Sequence, residues 1–124
     1  MAAPNIVNVA TITGKTVVAD LSTTSTTSLV SNASSSGKVI KVNNIFVSNI
    51  NGTSAADITV SYHNAASAGG TAYKIASTIS VPADSTLVVL DKSGSIYLEE
   101  NTSISVQAGT AGSLQVVSSY EEIS

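Results

Sequence analysis

The sequence predicts an all-β protein, an antiparallel β-sandwich with jelly-roll or Greek-key strand order. Serine and threonine account for 36 of the 124 residues, and threonine and the β-branched aliphatic residues fit a pleated, half-buried strand. Short runs alternate between apolar and polar residues, and no apolar stripe keeps a helical period over about eleven residues. Roughly nine or ten such runs, separated by turn signals about every 8–12 residues, are typical of an antiparallel sandwich.

The first two runs predict a hairpin at the N-terminus. They cover Ile6–Thr13 and Thr16–Leu21. The Gly14-Lys15 pair between them suits a two-residue type II′ turn, because glycine supplies the positive φ that this turn requires. Residues 1–21 are therefore predicted to form a hairpin or arm that reaches a neighbouring subunit.

The hydroxyl-rich run Ser22–Ser28 separates this hairpin from the rest of the chain. It is interpreted either as a solvated strand or linker, or as a flexible arm that docks on a neighbouring subunit. Residues 22–124 are predicted to form the sandwich, and the length indicates a single compact domain overall. A chain of this size buries roughly two-thirds of its unfolded surface, which is enough for one core without disulfides or metal.

Three later strands carry specific expectations. Val39–Ile50 changes its apolar phase at Asn43-Asn44, which indicates a β-bulge or a strand that passes between two sheets. Asp57–Asn64 alternates, and its outward serine and threonine residues are where we expect a packing partner to touch. Thr86–Leu90 is continuously apolar and predicts a strand buried on both sides. The other predicted strands are Ser28–Asn32, Tyr73–Val81, Ile96–Leu98, Ser103–Ala108 and Leu114–Glu122.

Charge is scarce in this chain and is not gathered into a binding site. Charged residues make up 10% of the sequence, the net charge is −3 and arginine is absent, so nucleic acid is not expected as a partner. The first residues lack the pattern of a signal peptide, and no apolar run approaches the length of a membrane span. We therefore expect no membrane contact and a soluble protein made in a cytoplasm.

The single histidine, His63, is on the outward phase of Asp57–Asn64 and is expected to face solvent or a neighbouring subunit. It gives little support to catalysis. A serine hydrolase would need it as the general base, and no Gly-X-Ser-X-Gly motif accompanies it. Zinc sites need cysteine or several histidines. Adjacent carboxylates such as Glu99-Glu100 and Glu121-Glu122 point to opposite faces of a strand and cannot jointly bind calcium. The sequence therefore predicts no enzyme, no catalytic residues, no metal and no cofactor.

Four segments between about Ser28 and the C-terminus form a recognisable pattern: Gly37–Asn49, Val81–Leu90, Ile96–Glu100 and Val116–Ile123. They resemble small structural proteins from the virions of marine and cyanobacterial tailed phages. The resemblance implies a non-enzymatic virion component assembled in the host cytoplasm, most simply a capsid decoration or cement protein that binds the major capsid protein. We also expect a homo-oligomer, with a trimer as the expected state.

Two groups of residues are the predicted contact surface. The first belongs to the N-terminal hairpin, and the second surrounds the small-residue loop 65–70. The second group leaves open a recognition module that binds host-surface glycans. A neck or tail accessory is the other alternative to a decoration protein. The predicted contact residues are Ile6, Val9, Ile12, Val17, Tyr62, His63 and Tyr73.

Overall fold

The computed structural model describes residues 9–124 of the chain. This part of the chain forms nine strands and one short 3-10 turn, arranged as two antiparallel sheets, and the predicted β-sandwich is confirmed. The elements are β1 (Ile12–Leu21), β2 (Thr27–Asn32), β3 (Val39–Asn49), β4 (Ala56–Ala65), β5 (Gly69–Val81), β6 (Thr86–Leu90), the 3-10 turn Lys92–Gly94, β7 (Ile96–Leu98), β8 (Thr102–Ala108) and β9 (Leu114–Ile123).

The strand order is that of a jelly roll, one of the two predicted alternatives. The five-stranded sheet has the order β1-β9-β3-β6, with β7 beside β6 on the same edge of β3, and the four-stranded sheet has the order β2-β8-β4-β5. The antiparallel pairs are therefore nested: β4 pairs with β5, β3 with β6, β2 with β8 and β1 with β9. Such nesting winds one long double strand into two packed sheets.

The predicted N-terminal hairpin turn is wrong. Gly14 and Lys15 lie inside β1, opposite Glu121 and Tyr120 of β9. The pairing of β1 with β9 runs over ten residues without a register shift, and it buries Leu21 in the core. A long partner strand that also buries an apolar face outweighs a local two-residue turn. The first three residues of the first predicted strand of this hairpin, 6–8, lie outside the described residues.

The predicted β-bulge in β3 is confirmed. The register between β3 and β9 shifts between Val42 and Asn44, so that Asn43 is the extra residue. The shift keeps both Val42 and Ile45 fully buried on the inner face. Asn44 stabilises the bulge by its side chain, because its Oδ1 accepts the backbone N–H of Ser119 at 3.0 Å.

The core between the sheets is aliphatic, as a sequence with only 4% aromatic residues predicts. Two buried asparagines link the sheets at the strand ends. Asn32, at the end of β2, donates from Nδ2 to the carbonyl of Leu98 at 2.9 Å, and Asn49, at the end of β3, donates likewise to the carbonyl of Val81 at 2.9 Å. The fully buried large aliphatic side chains are Val42, Ile45, Val47, Ile58, Val60, Val81, Leu98, Ile104, Val106, Leu114 and Val116.

Candidate contact surfaces

The first group of predicted contact residues is spread over different environments. Ile6 lies outside the described residues. Val9 is half-buried just before β1. Ile12 is 56% exposed at the start of β1, whereas Val17 packs against the core from the inner face.

The second group does not form one recognition surface either. Tyr62 and Tyr73 are opposite each other in the β4–β5 pair. Tyr62 nevertheless packs against the core, while Tyr73 is 57% exposed on the edge strand. His63 is buried. Of the three residues of this group, only Tyr73 is therefore available as an exposed contact.

The predicted phase of His63 is correct, but its expected exposure is wrong. It lies on the outer face of the four-stranded sheet, with Ser61, Ser103 and Ser105 beside it in register, and all four are buried. The imidazole Nε2 is 2.7 Å from the Ser105 hydroxyl and Nδ1 is 3.1 Å from the carbonyl oxygen of Gly69. Because a carbonyl only accepts, Nδ1 carries the proton, and in the neutral ring Nε2 accepts from Ser105.

The cover over this cluster is the 65–70 loop, which folds back across β8 and β2. Its backbone N–H groups donate to side chains of the sheet: Ser67 to the Ser31 hydroxyl and Ala68 to the Ser103 hydroxyl, both at 2.9 Å. Ser103 in turn donates to the carbonyl of Ala65 at 2.8 Å. The serine–histidine pair is thus enclosed, and its hydrogen bonds hold the loop on the sheet.

The five-stranded sheet has a different outer face. Four apolar side chains lie in one row across four strands, because Val18 is opposite Val117, Val117 is opposite Phe46, and Phe46 is opposite Val88. Val18 is 71% exposed, Val88 51% and Val117 39%, and Phe46 is half-buried. We call these four residues the apolar stripe. An exposed row of this kind marks an interaction surface more often than a free surface.

Sequence reasoning missed the stripe, although a signal for it was present. Each of the four strands has consecutive apolar residues, so one of them must point outward whenever its neighbour points into the core. The prediction that Thr86–Leu90 is buried on both sides is wrong for the same reason, since Val88 lies on the bare face. The apolar runs are Val17-Val18, Ile45–Val47, Leu87–Leu90 and Val116-Val117.

Polar rows flank the apolar stripe on both sides. Hydroxyl groups bond across the strands in these rows, with Thr16 and Ser119 at 3.2 Å and Ser48 and Thr86 at 3.0 Å. A shallow depression of about 210 Å³ lies between β1 and β9 beside Val18. One row consists of Thr16, Ser119 and Asn44, and the other of Asp20, Gln115, Ser48 and Thr86.

A further row, which we call the charged row, crosses the same face beyond Thr16. It runs from Gly14 through Glu121 and Lys41 to Tyr97. Tyr97 is 44% exposed, whereas a Cβ added to Gly14 would meet nothing within 4 Å. The row therefore has an empty position at one end and a bulky side chain at the other, with opposite charges between them.

The neighbouring carboxylate, Glu122, points to the other side of the sheet, as predicted for adjacent residues in a strand. Its Oε1 lies 3.0 Å from Nζ of Lys15 and 3.3 Å from Nζ of Lys38. The hydrogen bond from Lys15 is the largest cause that lowers the pKa of Glu122, and the same contact raises the pKa of Lys15. Glu121 instead accepts from Nδ2 of Asn43 at 3.1 Å.

The outer edge of β1 is open in the described part of the chain. Thr11 and Ser124 exchange two backbone hydrogen bonds at 2.8 and 2.9 Å. Hydrogen-bonded pairs alternate along an antiparallel ladder. Since Thr11 is bonded to the β9 side, Gly14, Thr16 and Val18 direct their N–H and C=O groups to the open edge.

Residues 9–124 do not bring together three His, Cys, Asp or Glu side chains that could hold a metal ion. Within the same residues, no helix has the length and apolar character needed to cross a membrane. No protein-family model matches the sequence, and no curated protein matches it.

In residues 9–124, the fold and these surfaces define a small jelly-roll sandwich in which the edge of β1 is open and the outer face of the five-stranded sheet is bare. Solved structures with the same fold include the following two. A chain from the acid-stable capsid structure of Helicobacter pylori bacteriophage KHP30 has a TM-score of 0.55 and 8% identity, covering 94% of this chain and 90% of that one. A chain from the Bacillus endospore appendages, a family of disulfide-linked pili, has a TM-score of 0.52 and 15% identity, covering 92% and 88%. At these identities the likeness shows the fold alone.

Proposed function

We propose that this chain is a non-enzymatic structural protein of a virion, a decoration or cement protein that binds neighbouring subunits of a capsid shell. The segments that resemble small virion proteins support this role, and the jelly roll shared with a chain of a phage capsid structure is compatible with it. The observation that carries the proposal is the open edge of β1, which offers a long, regular row of backbone donors and acceptors.

The other sheet edges are protected, which singles out β1. β5 is thirteen residues long, but its pairing with β4 shifts register three times and Thr78 has a φ of +45°. β2 and β6 are only six and five residues long. β1 has ten residues and no shift. Natural sheets blunt exposed edges by bulges or short length, and a long flat edge is a template for another strand.

The proposed partner is the major capsid protein, whose strand or extended arm would add to the edge of β1. Residues 1–8 immediately precede this edge, and we propose that they contact the same partner, so that the N-terminal arm keeps the role expected for it. Copies gathered at a three-fold site of the shell would give the expected trimer. A position at the neck or tail would use the same edge on a different partner.

Thr16→Pro tests the edge. Proline removes the N–H that faces outward and leaves the bonds to β9 in place, so the fold should persist. Thr16→Ala is the matched control, because it removes the hydroxyl and keeps the N–H. Shells purified without the protein are titrated with each variant. We expect Thr16→Pro to bind about tenfold or more weakly, and Thr16→Ala to bind as the natural protein does. Equal binding by both variants would exclude the edge.

Cryo-electron microscopy of particles from the phage that encodes the chain tests the virion role itself. We expect density for the sandwich at repeated positions on the shell, with β1 against its neighbour. Deleting residues 1–8 should weaken binding while leaving the melting temperature unchanged. Deleting residues 1–21 is not a suitable test, since it removes β1 and the buried Leu21. Particles that lack the chain would overturn the proposal.

A further inference from the structure

The outer face of the five-stranded sheet is complementary to itself. We infer that it packs against the same face of a second copy of this chain, about a two-fold axis parallel to the strands between β9 and β3. A rotation about this axis leaves each row at the same height along the strands, so that it faces the same row of the second copy. The rotation reverses the order of the strands across the sheet. β9 then faces β3 of the second copy, and β1 faces β6 and β7. This contact goes beyond shell binding, because it forms between copies in solution.

The apolar stripe is covered completely by this arrangement. Val117 lies opposite Phe46 of the second copy, and Val18 lies opposite Val88, with each contact occurring twice. The depression of about 210 Å³ beside Val18 gives the opposing Val88 a place to insert. Apolar contact removes the four side chains of the stripe from water, including Val18, which is 71% exposed in the isolated chain.

The charged row supplies the complementarity that selects this axis. Glu121 lies opposite Lys41 of the second copy and Lys41 opposite Glu121, so two opposite-charge pairs form. Gly14 lies opposite Tyr97, where the empty position of one copy receives the bulky side chain of the other. Aligned sheets pack about 10 Å apart at about −30°, which leaves each charge pair within reach of the long lysine and glutamate side chains.

A two-fold axis along the apolar stripe is less favourable. It would also cover the stripe, but it would turn the charged row toward the opposite end of the sheet. Glu121 would then approach the buried Ser113, and Lys41 would approach the exposed Ile50. Both charges would lose water without gaining a partner, which is costly.

The face is large enough for a stable pair. β1 and β9 each have ten residues. With strands about 4.8 Å apart and about 3.4 Å per residue, four strands present about 650 Å² per copy, or about 1,300 Å² for two copies. Stable interfaces bury about 1,200–2,000 Å² in total. The low charge of the face also limits the desolvation that association requires.

A charge exchange between two variants tests the reciprocal pairing. Glu121→Lys places two lysines opposite two lysines in its own dimer, and Lys41→Glu places carboxylates opposite carboxylates. Each variant alone should dimerise about tenfold or more weakly than the natural chain in sedimentation equilibrium. An equimolar mixture should recover the natural affinity within about threefold, because each copy then meets opposite charges on the other. A mixture no tighter than its components would overturn the inference.

The apolar stripe is tested by Val88→Lys, with Ile79→Lys as its matched control. Both residues are aliphatic and lie on edge strands, and their side chains are 51% and 43% exposed. Ile79, however, belongs to the four-stranded sheet. Val88→Lys should sediment as the 12.4 kDa monomer and Ile79→Lys as a dimer. A natural chain that remains monomeric at millimolar concentration, or a trimer that persists in Val88→Lys and Glu121→Lys alike, would contradict the pairing. Neither result bears on binding to shells, which is measured separately.

Discussion

The outer faces of the two sheets differ in what their side chains are and in what lies over them. On the four-stranded sheet the outward side chains around His63 are polar and buried, including Ser61 and Ser105, and the 65–70 loop is hydrogen-bonded over this part of the face. On the five-stranded sheet the outward stripe is apolar and nothing in the described chain covers it. Polarity therefore does not decide exposure in this protein, because the polar cluster around His63 is buried whereas the apolar stripe is exposed in the isolated chain.

This contrast assigns different roles to the two faces. The hydrogen bonds of His63, Ser103 and the loop stabilise the folded chain, so substitutions of these residues should lower the free energy of unfolding. Substitutions in the apolar stripe should change association and leave the isolated chain folded.

His63→Leu should produce the largest loss of stability. It leaves the Ser105 hydroxyl and the Gly69 carbonyl buried without their partner, and the loop loses an anchor. We expect the free energy of unfolding to fall by about 3 kcal/mol. Urea denaturation measures the change, and hydrogen exchange at the amides of Ser67 and Ala68 should show loss of protection in the loop.

Val18→Lys is the control on the opposite face. Val18 is 71% exposed in the isolated chain, so the free energy of unfolding of a dilute monomer should change by less than about 0.5 kcal/mol. If His63→Leu and Val18→Lys destabilise equally, the division between a folding face and an association face is wrong.

The fold was predictable because its signals are local and repeated. Alternating runs gave the strands, the phase change at Asn43-Asn44 gave the bulge, and the phase of Asp57–Asn64 placed His63 on the outer face. What covers that face was not predictable, since the loop depends on hydrogen bonds between residues about 35 positions apart, such as Ala68 to Ser103.

The N-terminal turn shows the limit of a local signal. Gly14-Lys15 resembles a turn in sequence, yet its partners are Glu121 and Tyr120 at the far end of the chain. The apolar stripe was not predicted for the same reason, because it too depends on long-range strand pairing. Consecutive valines are ambiguous until the register of β1, β9, β3 and β6 places their outward members in one row. Only pairing at long range turns four separate residues into a surface.

Two glycines should respond in opposite directions to alanine. Gly70 has a φ of +63°, and a Cβ there would lie 2.2 Å from Oδ1 of Asn64. We therefore expect Gly70→Ala to destabilise the covering loop by about 2 kcal/mol. Gly14 has open space, so Gly14→Ala should be neutral or stabilise the strand by about 0.5 kcal/mol. Thermal unfolding of both variants at low protein concentration measures the pair, and a loss at Gly14 would show that the bare face is already constrained.

The smallest effect on stability is expected from Glu122→Gln. This substitution distinguishes the role of Glu122 from that of its neighbour Glu121, which lies on the outer face of the sheet. Lys15 and Lys38 lower the pKa of Glu122, so its ion pairs stabilise the fold at pH values above the unfolded pKa. That contribution is lost as the pH falls through the lowered pKa. At neutral pH the variant should melt about 1–2 °C lower, because exposed pairs contribute little, and the two melting curves should converge in acid. Glu121→Gln should instead weaken the dimer, because Glu121 lies in the charged row of the outer face. Were Glu122→Gln to weaken the dimer as much as Glu121→Gln does, the two adjacent carboxylates would not be serving opposite faces of the sheet.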